Sequence, residues 1–154
     1  LPVELTVVGK GPLTSRLQAL VRDLGIENKV RFVKAVPNAS IHEYYQSHDL
    51  FCISIRYPGV CIPVLEAMAS GLPIVTNQPL WESAPEVVGD RAEIVANTSR
   101  GFAGGIRKYL DYPECIAAEG KNNRTRVEAI DGRVMEEREA ALFGELIERE
   151  REER

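Results

Sequence analysis

The apolar positions of this chain change their period several times along its length. Short runs rich in Val, Ile, Leu and Phe predict buried strands at Leu5–Val8, at Val30–Val33, at Leu50–Ile55, after Pro73 and at Ala92–Ala96. Between them, apolar residues recur every three or four positions and predict helices. Strands that alternate with helices are typical of an α/β fold, so we expect a Rossmann-like parallel sheet with helices on both faces.

Glycines and polar residues set the predicted ends of the helices. Gly25 ends the first helix, and Ser40-Ile-His-Glu43 matches a capping box at the start of the second. Later boundaries are a second capping box at 83–86, a turn at 111–113 and a break at 131–132. The sequence therefore predicts an α/β domain over residues 1–131 and a charged C-terminal helix over residues 132–154.

The stretch after the Leu50 strand predicts a glycine loop, a helix and another strand. Pro63 suits the first turn of this helix, Gly71 ends it, and one side carries Ile62, Leu65, Met68 and Ala69. Backbone N–H groups from Gly59 through Val60 and Cys61 to Ile62 should point toward the carboxyl edge of the strands. Open α/β sheets bind phosphorylated ligands at that edge. Glu66, one turn further in, is close enough to reach a sugar hydroxyl of such a ligand.

A second candidate segment, Gly9-Lys10-Gly11, directly follows the first strand. Thr14 occupies the place of the third glycine of a dinucleotide fingerprint, so that fingerprint fails. Gly9 and Gly11 still free the backbone to turn beside a ligand. Lys10 is a candidate phosphate contact, and a solvated loop lysine is the alternative.

Composition excludes several classes of function. A net charge of -4 and a pI near 5.3 argue against a nucleic-acid partner. No apolar stretch approaches a membrane span and no signal peptide heads the chain, so a cytoplasmic location is expected. Cys52, Cys61 and Cys115 lack metal-ligand spacing, so we expect reduced, mostly buried thiols and no metal ion.

The segment Leu65 to Gly71, with Pro73 and Val75, resembles the signature of the retaining GT-B glycosyltransferases of group 1. Flanking segments resemble the family in the same order, at 5–13, 29–33, 85–88 and 112–114. The resemblance implies the C-terminal, donor-binding half of a GT-B fold and hexosyltransferase activity without a metal or other cofactor. Its partners would be a nucleoside-diphosphate sugar and an acceptor, which could be a glycan, a lipid or a small molecule.

The same resemblance implies roles for residues already singled out. Glu66 would hold the ribose hydroxyls of the donor, and Val33, Lys34 and Ala35 would lie beside the nucleotide base. The helix start after Gly59 would stabilise the charge that develops on the leaving diphosphate. No catalytic residue is assigned.

Two departures from the family pattern change these expectations. Pro58 stands where the family usually has the first of two glutamates, a residue implicated in holding the transferred sugar. The 154 residues contain no counterpart of the family's opening strand and helix with their Arg and Lys, nor of the N-terminal acceptor half, through which peripheral membrane attachment would occur. We therefore expect a partial domain, inactive alone, in which the Leu5 and Leu50 strands either pair directly or are completed by the missing segment or another chain.

Two alternatives to a transferase remain open at this point. One is a nucleotide-sugar binding or regulatory module that lacks catalysis, and the other is a GT-B-related sugar-nucleotide epimerase or phosphorylase. The sequence does not determine the sugar, the base, the acceptor or the oligomeric state.

Overall fold

The computed structural model describes residues 2–56, 61–77 and 92–152. Within them the elements are β1 (Leu5–Val8), α1 (Thr14–Asp23), β2 (Val30–Val33), α2 (Ile41–Gln46), β3 (Phe51–Ile53), α3 (Ile62–Ala69), β4 (Ile74–Asn77), β5 (Glu93–Val95), α4 (Ser99–Asp111), α5 (Glu114–Glu128) and α6 (Gly132–Glu152). Short 3-10 helices occupy Glu27–Lys29 and Asn38–Ser40. The second predicted capping box, at 83–86, lies outside the described residues.

The chain divides into two compact units, an N-terminal unit of residues 1–47 and a C-terminal unit of residues 48–154. In the N-terminal unit, β1 pairs in parallel with β2, from Leu5 opposite Val30 to Val8 opposite Val33. Helix α1 connects the two strands and ends at Gly25, whose φ of +64° is the left-handed conformation expected at a helix end.

In the C-terminal unit, three parallel strands lie in the order β3-β4-β5. The central strand β4 is buried along its whole length, because neighbours flank it on both edges and helices α3 and α4 pack against it. These parallel sheets with their helices confirm the predicted α/β class.

The strand pairs that the structure describes lie within each unit. In the N-terminal unit β1 pairs with β2, and in the C-terminal unit β3 pairs with β4. The alternatives given for the Leu5 and Leu50 strands concern the two units together and stay predictions. Helix α6 begins at Gly132, the residue at which the sequence places the start of the charged C-terminal segment.

Two local predictions need correction. Ser40 precedes α2 but its side chain caps no N–H group, because a 3-10 helix runs directly into α2 and leaves Ser40 near φ −112° and ψ 1° rather than extended. The buried face of α3 carries Val64, Ala67 and Met68, whereas Ile62 is 57% exposed and Ala69 is also exposed. Nearly every position of α3 is apolar, so its periodicity does not identify the face that packs.

The backbones of α3 and α5 come very close together where α3 ends. A Cβ atom at Gly120 of α5 would overlap the carbonyl oxygen of Gly71, the residue at which α3 ends with φ +79°. Nearby, the buried Asn123 donates from Nδ2 to the Leu72 carbonyl at 2.9 Å. These contacts fix the C-terminal end of α3 and the entry into β4.

Candidate functional site

The start of α3 lies at the carboxyl edge of the β3-β4-β5 sheet, because α3 connects the carboxyl end of β3 to the amino end of the parallel strand β4. Cys61 precedes the helix in an extended conformation, and its carbonyl accepts from the N–H groups of Val64 at 2.9 Å and Leu65 at 3.3 Å. Pro63 has no N–H group. In the first turn, Ile62 thus carries the one N–H group that has no acceptor among the described residues. Gly59 and Val60, also predicted to contact the ligand, lie outside those residues.

Glu66 lies on the outer side of α3. It shares a face with the exposed Ile62, four positions earlier, and is opposite the buried Val64 and Met68. Its side chain is half-buried, and its carbonyl accepts from the backbone N–H and the hydroxyl of Ser70 at 3.0 and 2.9 Å. The residue is therefore not part of the packed face of the helix.

Polar side chains at the carboxyl ends of all three strands were missed by the sequence analysis. Asn77, the last residue of β4, is 2% exposed; its Oδ1 accepts from the Ile55 N–H at 2.8 Å and its Nδ2 donates to the Ile55 carbonyl at 2.9 Å. Ser54 donates from its hydroxyl to Oδ1 of Asn97 at 3.1 Å. The signal for Asn77 was present in the sequence, as the polar residue that follows Ile74, Val75 and Thr76 in the strand after Pro73.

In the N-terminal unit, the candidate residues follow β1 and β2. Gly9, with φ +132°, donates its N–H to the carbonyl of Val33 at 2.9 Å, so the structure brings these two predicted contacts together. Lys10, Gly11, Lys34 and Ala35 are exposed at the same edge of this small sheet. Thr14, in place of a third glycine, donates to the Gly11 carbonyl at 2.8 Å and so helps to form the turn before α1.

A charged cluster lies at the opposite, amino edge of the β3-β4-β5 sheet, since Glu93 opens β5. Lys108 Nζ is 2.8 Å from Oε2 of Glu93 and 2.9 Å from Oε1 of Glu119, and the Tyr109 hydroxyl donates to Glu119 at 2.5 Å. The hydrogen bond to Glu93 is the main cause that raises the pKa of Lys108. Burial, followed by the hydrogen bond to Glu119, raises the pKa of Tyr109. These pairs tie α4 to β5 and α5, away from the candidate site.

Two further observations concern metals and membranes. Across 2–56, 61–77 and 92–152, no three His, Cys, Asp or Glu side chains are grouped so as to hold a metal ion. No helix in those ranges has the length and apolar character needed to cross a bilayer.

Residues 2–126 match the family described as Glycosyl transferases group 1. Among curated proteins, the MMP alpha-(1->4)-mannosyltransferase of Mycolicibacterium hassiacum is 28% identical over 152 residues, which is 96% of this chain and 36% of that protein. The chain thus spans about a third of the length of that relative.

Solved structures with the same fold include a sucrose-phosphate synthase and a complex with UDP-glucose. Sucrose-phosphate synthase from Thermosynechococcus elongatus superposes with a TM-score of 0.74 and 21% identity, over 94% of this chain and 38% of the other. Anabaena HepE in complex with UDP-glucose superposes with a TM-score of 0.72 and 21% identity, over 91% of this chain and 42% of the other. At these identities the likeness shows the fold alone.

Proposed function

Since the chain belongs to the group 1 glycosyltransferases, we propose that it forms the donor-binding part of a retaining transferase and binds a nucleoside-diphosphate sugar. The observation that carries the proposal is the Leu65–Gly71 motif folded as α3 between two parallel strands. This connection puts the start of α3 at the carboxyl edge of the sheet, where α/β folds bind phosphorylated ligands.

In this proposal the diphosphate lies against the start of α3. The N–H group of Ile62 and the positive end of the helix dipole favour an anion there. Charge that develops on the leaving diphosphate would be stabilised by these fixed groups without a metal ion. Contact of Gly9–Gly11 and of Val33–Ala35 with the nucleotide stays a prediction.

Glu66 holds the ribose hydroxyls in this proposal. Its half-buried carboxylate lies on the outer face of α3, one turn beyond Cys61, and a carboxylate can accept hydrogen bonds from both vicinal hydroxyls. The transferred sugar, the base and the acceptor are left open, and acceptor binding is assigned to a further domain.

Pro58 supports a second candidate function, a nucleotide-sugar binding module without catalysis. The family usually has a glutamate at this position, so contacts to the transferred sugar would be reduced and recognition would depend on the nucleotide. Such a module would bind the bare nucleoside diphosphate as tightly as the nucleotide sugar.

A calorimetric comparison of UDP-, GDP- and ADP-sugars tests the donor-binding proposal. We expect one nucleotide class to bind, and Glu66→Gln to weaken binding by about 1–3 kcal/mol because the variant loses charge-assisted hydrogen bonds. A 2′-deoxy nucleotide should lose little further affinity in that variant. Glu114→Gln, an exposed carboxylate in the first turn of α5, is the matched control and should bind as the parent does. Parent protein that binds none of these ligands would refute donor binding, and undiminished ribonucleotide binding by Glu66→Gln would refute the role of Glu66.

A further inference from the structure

The buried side chain of Asn77 holds one backbone position at the carboxyl edge of the β3-β4-β5 sheet. Its amide group bonds both the N–H and the carbonyl of Ile55, at 2.8 and 2.9 Å, two residues beyond the last residue of β3. Both bonds are buried, where a lost partner is costly. Asn77 therefore fixes the direction in which the chain leaves the sheet.

The next residue in the chain, Arg56, carries a positive charge at this edge. It is exposed, and no carboxylate of the described residues lies within ion-pair distance of it. The other described residues around the three strand ends and the start of α3 are uncharged: Ser54, Ile55, Cys61, Ile62, Asn77, Ala96, Asn97 and Thr98. A guanidinium group suits a diphosphate because its planar donors can bond two oxygens at once.

We propose that Arg56 binds the diphosphate of the donor and that Asn77 is the positioning residue that aims it. This inference rests on the proposed function, since it names the cation of that same site. A diphosphate at this edge would then contact both Arg56 and the first turn of α3.

The first arm of the test removes the charge on the exposed Arg56, which is not expected to affect folding. Arg56→Gln should weaken binding of the nucleoside diphosphate by about tenfold to a hundredfold, the value of one charge-assisted contact, and leave binding of the nucleoside unchanged. The affinity of the variant should also depend less on salt. Diphosphate affinity equal to that of the parent would overturn the proposal.

The second arm tests whether Asn77 acts through Arg56. In Asn77→Asp an ionised carboxylate keeps the acceptor for the Ile55 N–H but cannot donate to the Ile55 carbonyl, so diphosphate binding should fall at least fivefold at a pH where the carboxyl group is ionised. In the Arg56→Gln background the same substitution should have almost no further effect on diphosphate binding. Fully additive effects, or no effect of Asn77→Asp, would overturn the positioning role.

Asn123→Asp is the matched control for a loss of stability alone. Asn123 is as buried as Asn77 and donates to the Leu72 carbonyl at the amino edge of the same sheet. We expect a loss of thermal stability comparable to that in Asn77→Asp and an unchanged affinity for the diphosphate. An equal loss of diphosphate affinity in both variants would mean that any loss of stability weakens binding, and it would refute the positioning role of Asn77.

A measurement on the parent protein keeps the test decisive if Asn77→Asp does not fold. On titration with the nucleoside diphosphate, the NMR signals of the Ile55 amide and the Asn77 side chain should shift, while the Asn123 side-chain signal stays in place. Saturable binding without shifts at Ile55 and Asn77 would overturn the inference and leave donor binding intact. A parent that binds no nucleoside diphosphate would instead refute the proposed function.

Discussion

At the scale of single residues, burial decides the chemistry of Cys52. This thiol lies in β3, and its removal from water raises its pKa from 9.0 to about 11. Burial opposes the thiolate form, so the side chain packs as a small apolar group and is a poor nucleophile at neutral pH. We assign it no part in catalysis.

The raised pKa of Cys52 predicts a loss of stability at alkaline pH. Between pH 9 and 11 the unfolded chain releases the thiol proton while the folded protein keeps it, so the free energy of unfolding falls as pH rises. The two-unit shift corresponds to roughly 2–3 kcal/mol over the whole window. Above about pH 10 the raised pKa values of Tyr109 and Lys108 act in the same direction.

Chemical denaturation at pH 8, 9 and 10 measures this effect. In Cys52→Ala the free energy of unfolding should fall less between pH 9 and 10 than in the parent. Cys115 is a second half-buried free cysteine, and Cys115→Ala should show the same fall as the parent. An identical pH dependence in the parent and Cys52→Ala would show that the buried thiol is not its source.

At the scale of elements, the position of α3 depends on small residues in its neighbour α5. Gly120 allows the backbone of α5 to approach Gly71, while Asn123 bonds the next carbonyl, that of Leu72. The two ends of β4 are thus held by buried asparagines, Asn123 at the entry and Asn77 at the exit. Rigid ends give α3 and the residues around its start a defined place relative to the sheet.

Gly120→Ala should therefore destabilise the protein, by about 1–3 kcal/mol, because the added methyl group meets backbone that cannot rotate away. Gly104→Ala is the matched control, since it lies in α4 with open space around the added atom. It should stabilise the protein by roughly 0.5–1 kcal/mol through helix propensity. Urea denaturation of the two variants compares them, and a Gly120→Ala variant as stable as the parent would contradict the close packing of α3 on α5.

At the scale of the whole molecule, the predicted donor contacts are divided between the two compact units. Gly9–Gly11 and Val33–Ala35 belong to the N-terminal unit, and Cys61 and Glu66 belong to the C-terminal unit. The chain spans 36% of the length of the mannosyltransferase relative and 42% of that of HepE. Each of these two proteins is therefore more than twice as long as this chain.

We accordingly expect the 154-residue chain, assayed alone, to bind a nucleotide and to transfer no sugar. Donor binding uses groups that the chain contains, whereas the acceptor is assigned to a further domain. Incubation with radiolabelled nucleotide sugars and a panel of glycan, lipid and small-molecule acceptors tests this expectation. Sugar transfer above a control without protein would contradict it.

Much of this fold could be predicted because its signals are local. The strands at Leu5–Val8 and Val30–Val33 and the helix ends at Gly25 and Gly71 follow from apolar runs and glycine positions a few residues long. The packed face of α3 could not be predicted, since an apolar helix carries no contrast between its sides. The predicted cap at Ser40 is wrong because Ser40 is the last residue of a 3-10 helix, which holds its backbone away from the extended conformation of a capping residue.

The sequence by itself determined the α/β class, the family resemblance and the candidate residues that follow β1 and β2, since each depends on residue types at short spacing. Only the tertiary structure decided that β1 pairs with β2 and that Glu66 lies outside the packed face of α3. It also decided that Asn77 holds Ile55. That contact exists because β3 and β4, which α3 separates in the sequence, pair with each other in the sheet. No local sequence pattern indicates which distant backbone group a buried amide side chain will bond.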